Sequence, residues 1–161
     1  MEKYLEQLKA MGVLSVKEIK AGSIKTAPWV AFKCQYGCEV YGKLCCPPNA
    51  PSYKQTQEII NCYEKAILFN SNDMSIINNV AAKITRELFF DGYYKAIGFG
   101  VACGTCEVCN GKKCNFPAKA IPCIEGCRID VFDTARLNGF EINTLKKEDT
   151  TPTFYGVILV E

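Results

Sequence analysis

Apolar residues in the first eleven positions fall at Tyr4, Leu5, Leu8 and Met11, a spacing that predicts an amphipathic helix from Glu2 to Met11, ended by Gly12. Val13 to Ile19 alternates apolar and polar side chains and predicts a strand, and Trp29-Val30-Ala31-Phe32 predicts a second extended piece leading into Cys34. From Cys34 to Pro51, Gly37, Gly42, Pro47, Pro48 and Pro51 interrupt any helix or interior strand, so this stretch is expected to be an ordered loop. Ser52 is placed to cap a helix through Ile59, Ile60 and Tyr63, and Ala66 to Phe69 reads as a buried strand.

Asp73 precedes a long helical pattern, Ile76, Ile77, Val80, Ile84 and Leu88, running to about Tyr94. Ala96 to Ala102 then reads as a strand in which Gly98 and Gly100 permit close backbone approach, and it delivers the chain to Cys103. Asp130 is placed to cap a short helix through Val131, Phe132 and Ala135, closed by Gly139, and Phe154 to Val160 is a terminal strand. Helices alternating with apolar strands predict an α/β fold. The expectation is a single small domain over residues 1–161, with a mixed sheet of about four to five strands, helices and two cysteine-rich metal loops.

Composition narrows the chemistry. At 161 residues and 48% hydrophobic content the chain can bury a core without help from metal. A net charge of +2 lacks the basic field that nucleic-acid or anionic-membrane binding requires. The N-terminal residues lack a secretory-signal pattern, and no apolar run approaches the roughly 18 residues of a membrane helix. The expectation is a soluble, cytoplasmic protein without nucleic-acid or membrane partners, whose thiols stay reduced.

The chain has 11 Cys and 0 His. An odd count, adjacent Cys45 and Cys46, and three cysteines at two-residue gaps fit a disulfide framework poorly. The absence of imidazole removes mixed Cys/His zinc sites and His-based nucleophilic machinery. Cys103-x2-Cys106-x2-Cys109-x4-Cys114 is the strongest signal. Short C-x2-C-x2-C runs let successive thiolates reach different irons of one cubane, whereas structural zinc usually takes two knuckles separated by a longer loop. The spacing therefore favours a [4Fe-4S] cluster, with zinc as the alternative. Gly104 and Gly111 allow amide N–H groups to approach sulfur, and Lys112, Lys113, Lys119 and Arg128 are candidates to offset the cluster's negative charge. Cys114 departs from the ferredoxin run, which has x3 before the fourth cysteine and Pro directly after it.

The second constellation is Cys34-x3-Cys38-x7-Cys46-Pro47-Pro48, consistent with a second cluster in a loop stiffened by proline. Its fourth ligand is open among Cys45, Cys62, Cys123 and Cys127, or one iron is left open to a small molecule. Cys34-x3-Cys38 also begins the C-x3-C-x2-C signature of radical S-adenosylmethionine enzymes, but Tyr41 stands where the third cysteine belongs. Cys123-x3-Cys127 reads equally as a ligand pair, a redox couple or packing thiols. Cys62, on the helical pattern with Ile59 and Ile60, is expected to pack in the core.

The segments CQYGCEVYGKLCCPP, CGTCEVCNGKKCNFPAKAIP, IDVFDTARLNG and the terminal YGVILVE resemble the predicted metal-binding proteins of the domain of unknown function 2284, a family mostly of anaerobic archaea and bacteria. The resemblance implies one ligand group of Cys34, Cys38 and Cys46 and another of Cys103, Cys106, Cys109 and Cys114, while positions 123 and 127 are usually not cysteine in that family. The reading at this level is an iron–sulfur protein carrying one or two clusters that exchanges electrons with a redox partner protein. Two alternatives stay open: a zinc-stabilised interaction or regulatory module, and an enzyme with an open iron site.

Overall fold

The computed structural model describes residues 1–161 except 102, 104–108, 110, 118, 147 and 149–150. Helix α1 (Glu2–Ala10) buries Tyr4 and Leu8 and stops at Gly12, whose φ of +90° suits a residue without a Cβ. Strand β1 (Ser15–Lys20) follows, then a single 3-10 turn at Ala21–Ser23. Helix α2 (Pro28–Gly37) occupies the stretch expected to be extended. Pro28 sits in its first turn, where a missing N–H costs nothing and the ring presets φ, so the apolar run Trp29–Phe32 winds instead of stretching.

Helix α3 (Tyr53–Ile60) opens on a full capping box, in which the Ser52 side chain accepts from the Gln55 amide and the Gln55 side chain accepts from the Ser52 amide. Strand β2 (Lys65–Ser71) leads to α4 (Met74–Phe90), capped by Asp73. That helix ends before the expected Tyr94 because the chain turns at Gly92, with φ of +101°. Strand β3 (Ile97–Phe99) is shorter than expected, and Ala102 of that expectation lies outside the described residues. Asp130 caps α5 (Val131–Leu137) through the Asp133 amide, Gly139 follows at positive φ, and β4 (Phe154–Leu159) closes the fold.

The α/β fold and the four strands are as expected. The sheet order is β1-β2-β4-β3, and all three ladders are antiparallel. A parallel pairing does occur, but as an isolated bridge between Gly100 and Cys123. The reason is that β4 inserts between β2 and β3, so the two strands joined through α4 never become neighbours.

Residues alternate across β2 and divide the core in two. Ala66 and Leu68 face a cluster with Ile60, Ile24, Ile129, Ala135 and Val157. Ile67 and Phe69 face the other, with Tyr4, Leu8, Ile77, Val80, Ile84, Leu88 and Ile158. Helices α3 and α5 thus cover one face and α1 and α4 the other. Among the described residues, no helix is long and apolar enough to cross a membrane.

The sheet matters to the site through its β3 edge. Gly98 and Gly100 lie so close to α4 that a Cβ on Gly98 would stand 2.5 Å from Thr85 Oγ1 and 3.0 Å from the Ala81 carbonyl oxygen, while one on Gly100 would meet Asn78 Oδ1 at 2.5 Å. The expected close approach is therefore real. Asn78 Oδ1 also accepts the Val101 amide at 2.9 Å, which fixes the direction in which the chain leaves the sheet toward Cys103.

Candidate metal centre

Cys34 lies on α2 and Cys38 is that helix's C-cap, so these two thiols are carried by a helix and its end, not by the loop. Beyond Cys38 the chain folds on itself. The Gly42 amide donates to Pro47 O at 2.9 Å, the Cys46 amide to Lys43 O at 2.9 Å, and both the Asn49 and Ala50 amides to Cys46 O. The Asn49 side-chain amide donates to the carbonyls of Gly42 and Lys43, each at 3.2 Å, and the Pro47–Pro48 peptide is cis. Cys46 is thereby buried, with Cys45 beside it and the two sulfurs 3.6 Å apart.

The cysteine-rich loop after β3 is laid against this first loop at several points. Lys43 Nζ donates to Cys103 O at 3.1 Å, and the Cys103 amide points at Cys45 Sγ at 3.5 Å. Gly111, at φ of +69°, passes so near Gly42 that a Cβ would sit 3.1 Å from its carbonyl oxygen. The Cys109 sulfur accepts from the amides of Leu44 and Gly111, and these hold its thiol below the ordinary value. The approach of amides to sulfur expected of Gly111 is present; Gly104, of which the same was expected, and Cys106 lie outside the described residues.

A third segment completes the arrangement. The Cys123 amide donates to Cys45 O at 3.2 Å, and the Gly126 amide to Cys123 Sγ at 3.3 Å. The Arg128 guanidinium donates to the carbonyls of Ala50, Pro51 and Gly126 at 2.9, 2.5 and 2.7 Å. Arg128 was a candidate counter-charge to a cluster; instead its head clamps the first loop to the 123–128 turn through backbone oxygens. Lys113 does line the cavity described below, joined by Lys43, which the sequence did not single out. Lys119 is exposed.

Between the segments lies a cavity of about 260 Å³ walled by the thiols of Cys45, Cys103, Cys109, Cys114 and Cys127, with Ala50, Ile121 and Pro122 among its apolar neighbours. Its volume corresponds to about nine water molecules, more than one ion needs. Among the described residues, no three Cys, Asp or Glu side chains converge tightly enough to chelate a single ion. The sulfurs instead stand around a space.

Their proton affinities divide sharply. Cys45 is lowered to about 6, chiefly because the Cys46 thiol hydrogen-bonds to it, with the Cys103 amide and Lys43 assisting against its burial. Cys123 is lowered, chiefly by the neighbouring Cys46 thiol and further by the Gly126 amide, and the thiols of Cys123 and Cys45 together push Cys46 strongly up. Burial pushes Cys34 to about 11, with the charges on Cys123, Glu125 and Cys38 adding to it. Burial likewise pushes Cys127 to about 12.

Among the described residues, the two expected ligand groups meet only at the Cys45–Cys46 pair. Cys45 lines one cavity with Cys103, Cys109 and Cys114, and its sulfur lies 3.6 Å from that of Cys46, whereas Cys34 and Cys38 are not among the lining residues. Cys62 is a correction. It is exposed beyond the end of α3, its thiol turned to Glu58 O at 3.4 Å, because the helix stops at Ile60 and the packed face of the pattern ends there. Cys123 and Cys127, left open between ligand and packing roles, are both buried within the assembly.

An α/β domain that gathers thiols from three distant segments around a cavity offers an all-sulfur donor set, of the kind soft metals prefer. The chain belongs to the family of predicted metal-binding proteins known as the domain of unknown function 2284 (DUF2284), whose profile matches residues 17–160. No curated protein and no solved structure matches it significantly.

Proposed function

We propose that this protein is an iron–sulfur protein that relays electrons, with a cluster, of the [4Fe-4S] type by its ligand spacing, in the five-thiol cavity and a second at the Cys34, Cys38 and Cys46 group. The observation that carries the reading is the cavity itself: all-sulfur donors spaced around about 260 Å³ suit a polynuclear core better than one tetrahedral ion. Its residues fit such a core. Cys103, Cys106, Cys109 and Cys114 would hold it, amides from Leu44 and Gly111 already point at the Cys109 sulfur, and Lys43 and Lys113 set positive charge beside the thiolates. A bound cluster supplies one-electron chemistry. The chain's part is to ligate it, tune it through amide–sulfur hydrogen bonds and wall it with apolar side chains.

Protein prepared without air should be brown and contain iron and acid-labile sulfide in equal amounts, with both lost together in the Cys103→Ser and Cys109→Ser variants. Colourless protein carrying zinc and no sulfide overturns the reading.

A further inference from the structure

We propose that Cys45 and Cys46 form a redox pair, which a hydroperoxide converts from two thiols into a disulfide between neighbouring residues. The pair stands on its own geometry and needs no metal; only its consequence for Cys46 as a ligand rests on the reading above.

The two sulfurs are already 3.6 Å apart, against about 2.05 Å in a disulfide. They are presented together because the peptide unit joining the two residues is held at both of its polar groups. Its carbonyl, Cys45 O, accepts the Cys123 amide at 3.2 Å, and its N–H, that of Cys46, donates to Lys43 O at 2.9 Å. The Cys46 carbonyl accepts the Asn49 and Ala50 amides, which fixes the residue from the following turn as well.

The two thiols differ in access. Cys45 lines the cavity, with the Cys103 amide 3.5 Å from its sulfur, whereas Cys46 is 2% exposed and is not part of that lining. An oxidant entering the cavity meets Cys45, and Cys46 stands behind it within reach of the product. The Cys45 sulfur attacks one peroxide oxygen, the O–O bond breaks, and the products are a sulfenic acid on Cys45 and an alcohol, or water where the oxidant is hydrogen peroxide. The Cys46 sulfur then attacks the Cys45 sulfur; the S–S bond forms, the S–O bond breaks, and the hydroxyl leaves as water with the Cys46 proton. Two thiols are oxidised and one peroxide is reduced.

Such a bond is a poor staple and a good switch. The peptide between the two residues is trans, so their Cα atoms are about 3.8 Å apart, closer than the roughly 4.4–6.8 Å that disulfides usually span. A bond formed in that frame is readily reduced again. While it lasts, Cys46 has no thiolate to offer a metal, so oxidation withdraws it from the Cys34, Cys38 and Cys46 group.

The test uses the full-length chain, as prepared without air and again after chelation, treated with one equivalent of hydrogen peroxide, alkylated with N-ethylmaleimide and digested with trypsin. Cleavage after Lys43 and Lys54 releases residues 44–54, in which Cys45 and Cys46 are the only cysteines. From the chelated protein this peptide should emerge unalkylated and two hydrogen atoms lighter than the dithiol, and should take up two maleimides after dithiothreitol. In Cys46→Ser the reaction should stop at the sulfenic acid, trapped as a dimedone adduct on Cys45. A peptide that keeps two alkylated thiols, cysteines joined to other peptides instead of to each other, or a Cys46→Ser chain without the adduct overturns the proposal. The protein as prepared should oxidise at this peptide more slowly than the chelated protein. Equal rates would uphold the pair and count against Cys46 as a ligand, and a wild type carrying zinc without sulfide would defeat the iron–sulfur reading while the chelated sample still decides the pair.

Discussion

At the scale of single residues, the paired thiols Cys45 and Cys46 are chemically unlike. Cys46 serves as hydrogen-bond donor and is held protonated, so Cys45 carries the charge, with its ionisation brought down to about 6. A folded value below the ordinary thiol value of 9.0 means that this ionisation favours the folded state above pH 9 and that the contribution is lost as pH falls through about 6. Cys34 has the opposite sign: at about 11 its neutral form is favoured by folding, a contribution present below pH 9 and lost as pH rises through 11. In metal-stripped, reduced protein, iodoacetamide should therefore modify Cys45 with a midpoint near pH 6 and Cys34 only toward pH 11, as read by peptide mass spectrometry. Equal midpoints for the two would contradict the hydrogen-bond arrangement. The sequence made the thiols legible but not this division, since adjacency alone does not say which of two cysteines donates.

At the scale of elements, what was readable in the sequence was local. Ser52, Asp73 and Asp130 each cap the helix they precede, and the continuous apolar run of β2 is buried on both its faces. Helix α2 was misread because its apolar run resembles a strand, and the deciding feature was Pro28 in the first turn. The meeting of the first loop with the Cys123 turn was not readable because it depends on a bridge and a guanidinium clamp joining segments far apart in the chain. Gly98 belongs to the readable part, and it sets how closely α4 can approach β3. Gly98→Ala would drive a methyl group toward Thr85 Oγ1 and, less yieldingly, the Ala81 backbone carbonyl. Overpacking of this kind costs about 1–3 kcal/mol. Denaturant unfolding should show that loss with an unchanged m-value; no loss would mean that α4 can shift away from the sheet freely.

At the scale of the whole molecule, the question is whether metal makes the fold or only completes it. Small zinc-dependent modules unfold without their ion because they have little else to bury. Here two apolar clusters flank a four-stranded sheet, one with Leu68, Ile129 and Val157 at its centre and the other with Phe69, Ile84 and Ile158, and neither needs a metal–sulfur bond to close. The first loop is different: from Cys38 to Asn49 its only buried residues are Cys46 and Pro47, and turn hydrogen bonds are its main internal support. Removing metal should accordingly leave far-UV circular dichroism and a cooperative thermal transition in place, while limited proteolysis gains cleavage within residues 38–48. Hydrogen exchange should show the same boundary, with β2 and β4 still protected because their backbone bonds open only with the global fold. Collapse of the whole transition on chelation would mean that the thiolate groups supply the stability assigned here to the sheet and its two helical layers.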